Sequence, residues 1–140
     1  MDDDPIKLVI LGEYDVGKTS LLSRFLGIEI DNSKTFYRKT LSIDELGGRT
    51  ITFDLWDTAR QEKRKPIPLI FYKEAGVVIL VYDITNKKSF DEMKNYWYQY
   101  TKKYAPQDVI LGIAANKSDL IKEEQVSKEE RSEERRVGKE

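Results

Sequence analysis

Residues 12–19, near the start of the chain, have the sequence GEYDVGKT. They match the phosphate-loop pattern GxxxxGK(S/T), and they lie between an apolar run of strand length, residues 6–11, and a segment with helical spacing, residues 18–26. In this pattern the glycines let the backbone wrap around phosphate oxygens, while Lys18 supplies a cation and Thr19 a hydroxyl that can reach Mg²⁺. The order of strand, glycine loop and helix therefore predicts a phosphate-binding site at this loop.

Further strands are predicted along the chain. Residues 50–57 alternate polar and apolar side chains, as half-buried strands do, and together with residues 40–43 and the glycines at 47–48 they predict a hairpin. Residues 77–82 and 109–115 are mostly aliphatic, which is typical of strands covered on both faces. Strands that alternate with helices predict an α/β fold, a P-loop NTPase three-layer sandwich with a mostly parallel sheet and one antiparallel hairpin strand. Ligands of such sheets bind beyond the carboxyl ends of the strands.

A second helix is predicted between the two aliphatic strands. Residues 89–92 have the sequence SFDE, the form of a capping box, which predicts that this helix begins at Ser89. Large side chains recur along it at helical spacing and predict a face packed in the core: Phe90, Met93, Trp97, Tyr100 and Tyr104.

A second candidate site follows the alternating strand. Asp57 ends that strand, and a carboxylate beside the phosphate loop can hold a water of the Mg²⁺ shell. Gln61, four residues further on, has an amide that can orient an attacking water. An Asp at a strand end is more often a turn or capping residue, so the metal role depends on its partnership with the loop.

A third candidate site, residues 116–119 with the sequence NKSD, follows the last predicted strand. The carboxylate of Asp119 can accept two parallel hydrogen bonds from the N1–H and the exocyclic amine of guanine, whereas adenine has an acceptor at N1. The tetrad therefore predicts guanine as the base, and it disfavours an ATP-using P-loop kinase.

Composition excludes several other classes of function. The 140 residues suit a single domain, and 24 Lys and Arg against 25 Asp and Glu give a net charge of −1, unlike the basic surface of a sequence-independent nucleic-acid binder. The chain has no Cys and no His, which excludes disulfides, thiol catalysis, imidazole bases and prenylation of the chain as given. The acidic start and the lack of an apolar run of roughly 18 residues predict a cytoplasmic protein without a direct membrane anchor in this chain.

Taken together, the motifs resemble those of small GTPases of the Ras superfamily, most closely the Rab family. Four stretches are similar to Rab segments in order and spacing: WDTA at 56–59, FYKEA at 71–75, LVYDITN at 80–86 and NKSDL at 116–120. The resemblance covers residues 6–130, and it implies a small GTPase domain that binds GTP and GDP with Mg²⁺ and hydrolyses GTP slowly. It also implies two switch segments that meet effector and exchange-factor proteins in vesicle traffic.

The resemblance assigns roles to individual positions. Gln61 is expected to place the attacking water, and metal contacts are expected from Thr19, Asp57 and Thr35. Phosphate and base contacts are expected from Gly12, Asp15, Val16, Gly17, Lys18, Thr19 and Ser20, and from Asn116, Lys117 and Asp119.

The first switch leaves two alternatives. Thr35 and Thr40 both lie near the spacing at which the family has a threonine that binds the metal and the γ-phosphate, and Thr35 is favoured. If residues 36–40 instead form the first hairpin strand, the switch is shortened, even to the point of lacking this threonine. In that alignment an aromatic trio matches the one with which Rab proteins meet effectors, although buried structural aromatics are the preferred interpretation: Phe36, Trp56 and Phe71.

Two residues depart from the family pattern and leave the activity open. Arg60 stands where the family has a glycine whose N–H meets the γ-phosphate, and Asp15 adds a carboxylate to the phosphate loop. The first restricts the backbone and the second repels the nucleotide, although Arg60 could instead neutralise γ-phosphate charge as an arginine finger supplied in cis. Two functions therefore remain: a switch that hydrolyses GTP, and a pseudo-GTPase that only binds nucleotide.

The end of the chain differs from the family. Residues 131–140 are highly charged, resemble nothing in the family, and are predicted to be a disordered or non-native tail. A C-terminal strand and helix are expected to be missing, together with the cysteines that the family prenylates. Attachment to endomembranes is therefore expected only for a lipidated longer form.

Overall fold

The computed structural model describes residues 4–13, 16–27, 29, 35–58 and 67–116. Short 3₁₀ turns occur at Asp44–Leu46 and Leu69–Phe71. The strands and helices are β1 (Ile6–Gly12), α1 (Lys18–Leu26), β2 (Phe36–Ile43), β3 (Arg49–Asp57), β4 (Val77–Asp83), α2 (Lys87–Glu92), a π-helical segment (Met93–Trp97), α3 (Tyr98–Tyr104) and β5 (Ile110–Asn116).

The described strands form one sheet in the order β2-β3-β1-β4-β5. Strand β1 lies between β3 and β4 and is parallel to both, β4 is parallel to β5, and β2 pairs antiparallel with β3. This arrangement confirms the predicted α/β class with a mostly parallel sheet and one antiparallel hairpin strand. Because the parallel strands run in the same direction, the loops that follow them lie at one edge of the sheet.

Helices cover both faces of the sheet, as the three-layer prediction requires. Along β1, Val9 belongs to the buried cluster under α2 and α3, whereas Ile10 belongs to the cluster under α1, which includes Leu22. Successive side chains of a strand point to opposite faces, so the continuous apolar runs of β1 and β4 supply both clusters. Removing a side chain such as Leu22 from water stabilises the fold by about 1.5–3 kcal/mol.

Helix α1 has the bounds that the sequence predicts. It begins directly after Gly17 and ends before Gly27, whose φ is 74° and whose N–H donates to the carbonyl of Ser23 at 2.8 Å. A glycine in this left-handed conformation is a common helix end because it lacks the Cβ that would be strained there. The two glycines therefore limit the helix at both ends.

The start of α2 corrects one prediction. The helix begins at Lys87, and its N-cap is Asn86, whose side chain accepts a hydrogen bond from the N–H of Ser89 at 3.3 Å. The hydroxyl of Ser89 instead accepts from the N–H of Asp83 at 2.9 Å and donates to the carbonyl of Asn86 at 2.7 Å. Ser89 thus holds the end of β4 against the first turn of the helix, and the predicted capping box at residues 89–92 is wrong.

The predicted core face of this helical region is confirmed for its first part. Phe90, Met93 and Trp97 are fully buried against the sheet, whereas Tyr100 is half-buried and Tyr104 lies at the surface. The π-helical segment joins α2 to α3 without a break and contains both Met93 and Trp97. Among the described residues, the helices are too short or too polar to cross a membrane.

Candidate functional site

Register brings the candidate residues of three strands to the same edge of the sheet. Asp57 at the end of β3 pairs with Ile10 of β1, and Gly12 at the end of β1 pairs with Val81 of β4. The end of β5, Asn116, pairs in turn with the end of β4. One described residue from each of three motifs, Gly12, Asp57 and Asn116, therefore lies at the carboxyl end of its strand, at the edge of the sheet where ligands of such sheets bind.

Glycine is required at two positions of the phosphate loop. A Cβ on Gly12 would lie 2.5 Å from the carbonyl oxygen of Val81. Gly17 has a φ of 95°, a backbone conformation that residues with a side chain rarely adopt. A Cβ at this position would also lie 2.0 Å from Nδ2 of Asn116. Gly12 therefore packs against the backbone of β4, and Gly17 packs against the Asn116 side chain in a backbone conformation that favours glycine.

Lys18 is buried, with 3% of its surface exposed, and its ammonium lies inside the loop. Its Nζ donates to the carbonyl oxygens of Gly12 and Glu13, both at 2.8 Å. A buried ammonium group is costly unless hydrogen-bonding partners surround it, and backbone carbonyls of the loop fill that role here. The charge is thus held where phosphate oxygens are expected.

Two oxygen donors suited to a metal ion lie next to the loop. The hydroxyl of Thr19 donates to Oδ2 of Asp57 at 3.4 Å, and the carboxylate of Asp57 is buried. Mg²⁺ prefers oxygen ligands and keeps several waters, so a hydroxyl beside a buried carboxylate fits this ion.

Of the two threonines proposed for the first switch, only Thr35 lies close to this pair. The N–H of Asp57 donates to the carbonyl of Thr35 at 2.8 Å, which joins the residue before β2 to the end of β3. Thr40 lies within β2, exposed, with its hydroxyl 2.9 Å from that of Thr52. Residues 36–40 do form the first hairpin strand, as the alternative alignment predicts, and Thr35 directly precedes it.

Asn116 has a contact that the sequence does not predict. Its side-chain amide donates to the carbonyl of Val16 at 2.9 Å, across from β5 to the phosphate loop. Thr58 likewise donates its buried hydroxyl to the carbonyl of Ile10 at 2.6 Å, just beyond Asp57. No local sequence signal identifies either bond, because each joins segments that only the sheet brings together.

Several predicted site residues lie outside the described ranges, and their roles remain predictions. They are Asp15, Arg60, Gln61, Lys117 and Asp119. The predicted tail at residues 131–140 also lies outside them. Ser20 is described and lies exposed in the first turn of α1, next to Thr19.

The three aromatic residues proposed for effectors lie in contact with one another. Phe36 and Trp56 meet edge to face with ring centroids 5.7 Å apart, as do Trp56 and Phe71. Phe36 is 42% exposed and Phe71 is 6% exposed, so the cluster runs from the surface into the core. It is neither a fully buried nor a fully exposed trio.

Lys7 packs beside this aromatic cluster. Its ammonium lies 4.4 Å from the centroid of the Trp56 ring and donates to the carbonyls of Ile70 and Lys73. Burial lowers the pKa of Lys7, and the nearby carboxylate of Glu74 partly opposes that effect. The 3₁₀ turn at Leu69–Phe71 is thereby held against β1 and β3, while Leu69 and Ile70 expose more than half of their surface.

Comparisons with known proteins agree with this geometry. The sequence profile of the Ras family matches residues 7–137. Ras-related protein Rab-8B of Homo sapiens is 43% identical over 129 residues, which cover 88% of this chain, and Ras-related protein Rab-8A of Mus musculus is 40% identical over the same length. The chain spans 60% of the length of these curated relatives. The match to the family over most of the chain, together with the phosphate loop and its neighbours, shows that the chain belongs to the Ras family of small GTPases and is Rab-like.

Proposed function

We propose that the protein is a guanine-nucleotide switch that binds GTP and GDP with Mg²⁺ and hydrolyses GTP. The observation that supports this proposal most strongly is the convergence of Lys18, Thr19 and Asp57 at the carboxyl edge of the sheet. A cation inside a glycine loop and a hydroxyl–carboxylate pair beside it are the groups that phosphoryl transfer needs.

In this proposal each residue of the site has a separate task. Lys18 neutralises the outer phosphates from within the loop, and Thr19 and Asp57 hold Mg²⁺, directly or through water. When bound, the ion neutralises charge on the phosphate oxygens. The amide of Gln61 orients a water whose oxygen attacks the γ-phosphorus; the bond to the GDP oxygen breaks, and the proton of the water passes to phosphate.

Base recognition is proposed for the end of β5. Asp119 accepts two hydrogen bonds from guanine, and Lys117 and Asn116 support that contact. The bond from Asn116 to Val16, 2.9 Å long, connects the base motif to the phosphate loop. Binding of the base at the end of β5 would thus affect the backbone of the phosphate loop at Val16.

The membership in a Rab-like family supports a role in vesicle traffic. We propose that effector and exchange-factor proteins meet the switch segments at the surface that Phe36, Trp56 and Phe71 form, with no role for nucleic acid. Phe36 supplies the exposed part of that surface, with 42% of its area accessible. The proposed location is cytoplasmic, at endomembranes where a longer, lipidated form exists.

The alternative function is a pseudo-GTPase that retains the nucleotide contacts and neither hydrolyses nor switches. Arg60 and Asp15 favour this alternative, because the first replaces a flexible glycine and the second adds a carboxylate to the loop.

The purified full chain separates these functions. Bound nucleotide is identified after denaturation, and GTP hydrolysis is measured in a single turnover with Mg²⁺. Hydrolysis that disappears in Gln61→Ala supports the switch, whereas bound GTP that persists without hydrolysis supports the pseudo-GTPase. A folded chain that binds no guanine nucleotide overturns both functions. If ATP competes with GTP as well as GDP does, the chain is better explained as an ATP-using P-loop kinase.

If Arg60 is the obstacle to hydrolysis, Arg60→Gly raises turnover. Arg64→Gly is the matched control, because it makes the same change of charge and of residue type within the same segment of the sequence. Equal rates in Arg60→Gly and the unchanged chain would place the defect elsewhere.

A further inference from the structure

A long-range hydrogen bond joins the central helical region to the phosphate loop. The indole Nε1–H of Trp97 donates to Oε2 of Glu13 at 2.8 Å, although the two residues are 84 positions apart. Trp97 is fully buried at the end of the π-helical segment, and Glu13 is the first loop residue after β1. Neither residue is assigned a role in nucleotide binding by the motifs.

The same glutamate also contacts the loop lysine. The backbone carbonyl of Glu13 accepts a hydrogen bond from Nζ of Lys18 at 2.8 Å. The side chain and the carbonyl of Glu13 belong to one residue, so a contact that fixes the side chain also restrains the carbonyl that positions the Lys18 ammonium. Two hydrogen bonds therefore separate the contact between Trp97 and Glu13 from the proposed phosphates: the bond from Lys18 to the Glu13 carbonyl, and the proposed bond from Lys18 to a phosphate oxygen.

The charge of Glu13 is directed towards the helices. Burial is the main cause that raises the pKa of Tyr96 to about 12, and the neighbouring Tyr100 side chain and the Glu13 carboxylate raise it further. Tyr96 neighbours Trp97 and contacts its ring edge to face at 4.9 Å. The carboxylate of Glu13 thus lies close to this aromatic pair on the helical side of the loop.

We propose that Trp97 is a positioning residue for the nucleotide, which holds the Glu13 carboxylate away from the phosphates and fixes the loop around Lys18. This inference rests on the proposed nucleotide-binding function. A carboxylate in a phosphate loop repels a polyphosphate, and this repulsion grows as the two charges approach each other. Hydrogen bonds to an ionised acceptor are stronger than neutral ones, so an indole N–H can retain the carboxylate.

Three substitutions separate this role from simple core packing. Trp97→Phe keeps an aromatic ring but removes the N–H donor, and Glu13→Asp keeps the charge but shortens the side chain by one methylene. Glu13→Gln removes the charge and keeps an oxygen that can accept from the indole. Phe90→Leu is the matched control, because Phe90 is fully buried on the same helical face and packs on Tyr82.

The experiment measures release of N-methylanthraniloyl GDP from the full chain with Mg²⁺, at low and high salt. Trp97→Phe and Glu13→Asp are expected to release the nucleotide about tenfold faster, the effect of losing one hydrogen bond to a charged group. High salt is expected to shrink this difference, because the released carboxylate acts through its charge. Phe90→Leu is expected to stay within about twofold of the unchanged chain, since it opens a cavity without freeing a charge.

The decisive comparison is the double substitution. When Glu13 is already changed to Gln, Trp97→Phe is expected to speed release by clearly less than tenfold, because only a neutral hydrogen bond is lost and no charge is freed. An undiminished tenfold effect in that background would assign Trp97 to packing alone and overturn the proposal.

Glu13→Asp keeps the proposal testable if Trp97→Phe does not fold. Release from a folded Glu13→Asp chain at the unchanged rate would overturn the proposal as well. An unchanged chain that binds no N-methylanthraniloyl GDP overturns the proposed function itself, and the inference falls with it. Normal binding with no effect of either substitution overturns only the inference.

Discussion

At the scale of single residues, the site depends on backbone positions that tolerate no side chain. Gly17 combines a φ of 95° with a close approach to Asn116, so it is constrained twice. Gly47, by contrast, has a φ of 70° with nothing within 4 Å of a Cβ placed there. The two glycines therefore differ in crowding while sharing a left-handed backbone.

Gly17→Ala is expected to lower the free energy of unfolding by about 2 kcal/mol, because backbone strain and displacement of the Asn116 amide add together. Gly47→Ala, the matched control, is expected to cost about 1 kcal/mol from strain alone. Urea unfolding measures both values. Equal losses would show that the contact with Asn116 contributes nothing.

A second residue-scale prediction concerns the Tyr72 hydroxyl, which is buried and has no hydrogen-bond partner among the described residues. A buried hydroxyl without a partner costs about 1–3 kcal/mol, so Tyr72→Phe is expected to stabilise the fold by about 1 kcal/mol at neutral pH. Thermal unfolding at neutral pH measures the change. Tyr98→Phe is the control, since Tyr98, in α3, is also a buried tyrosine. A loss of stability in Tyr72→Phe would contradict the prediction.

The same tyrosine predicts a dependence on alkaline pH. Burial raises the pKa of Tyr72 well above its usual value of 10.0, so the folded side chain stays protonated where the unfolded one ionises. The unfolded state then binds fewer protons, and stability falls as the pH rises above about 10. This fall is expected to be shallower in Tyr72→Phe than in the unchanged chain. Parallel profiles for the two chains would contradict the assignment.

At the scale of the elements, local sequence patterns predicted where most helices and strands begin and end. The start of α2 is the exception, because tertiary contacts decide it. The glycines around α1 predicted both of its ends, because each acts within one turn. Asn86 and Ser89 are both good capping residues, and local preference does not choose between them. The bond from the Asp83 N–H to Ser89 engages the serine and leaves the cap to Asn86.

Asn86→Ala tests that assignment of the cap. Loss of the side chain that accepts from the Ser89 N–H is expected to destabilise the protein by about 1 kcal/mol. Asn95→Ala is the control, because Asn95 is exposed within the helical region, where alanine has the higher helix propensity. Guanidinium unfolding of the two variants gives the comparison, and an equal effect of both would remove Asn86 from the cap.

At the scale of the whole molecule, the site is assembled by the sheet. Each motif that the sequence predicted for the site follows a strand, and the parallel topology places the strand ends Gly12, Asp57 and Asn116 at one edge. The sequence did not predict the bonds from Asn116 to Val16 and from Trp97 to Glu13, which join residues 100 and 84 positions apart. Such contacts follow from strand register and helix rotation, which no local pattern encodes.

Because residues from β1, α1, β3 and β5 form the site, nucleotide binding is expected to stabilise the fold as a unit. A ligand that binds only the folded state at a hundredfold excess over its Kd adds about 2.7 kcal/mol, so GDP with Mg²⁺ is expected to raise the melting temperature by several degrees. EDTA is expected to remove most of this gain. Scanning calorimetry of the full chain measures each value.

Asp57, which with Thr19 is proposed to hold Mg²⁺, supplies the control for that measurement. Asp57→Asn keeps the size of the side chain but removes a carboxylate charge that lies 3.4 Å from the Thr19 hydroxyl. It is therefore expected to abolish the part of the thermal gain that depends on Mg²⁺ and to keep a smaller gain from GDP alone, since Lys18 and the loop are intact. A full Mg²⁺-dependent gain in Asp57→Asn would place the ion elsewhere. A gain from ATP equal to that from GDP would show that the end of β5 does not select guanine.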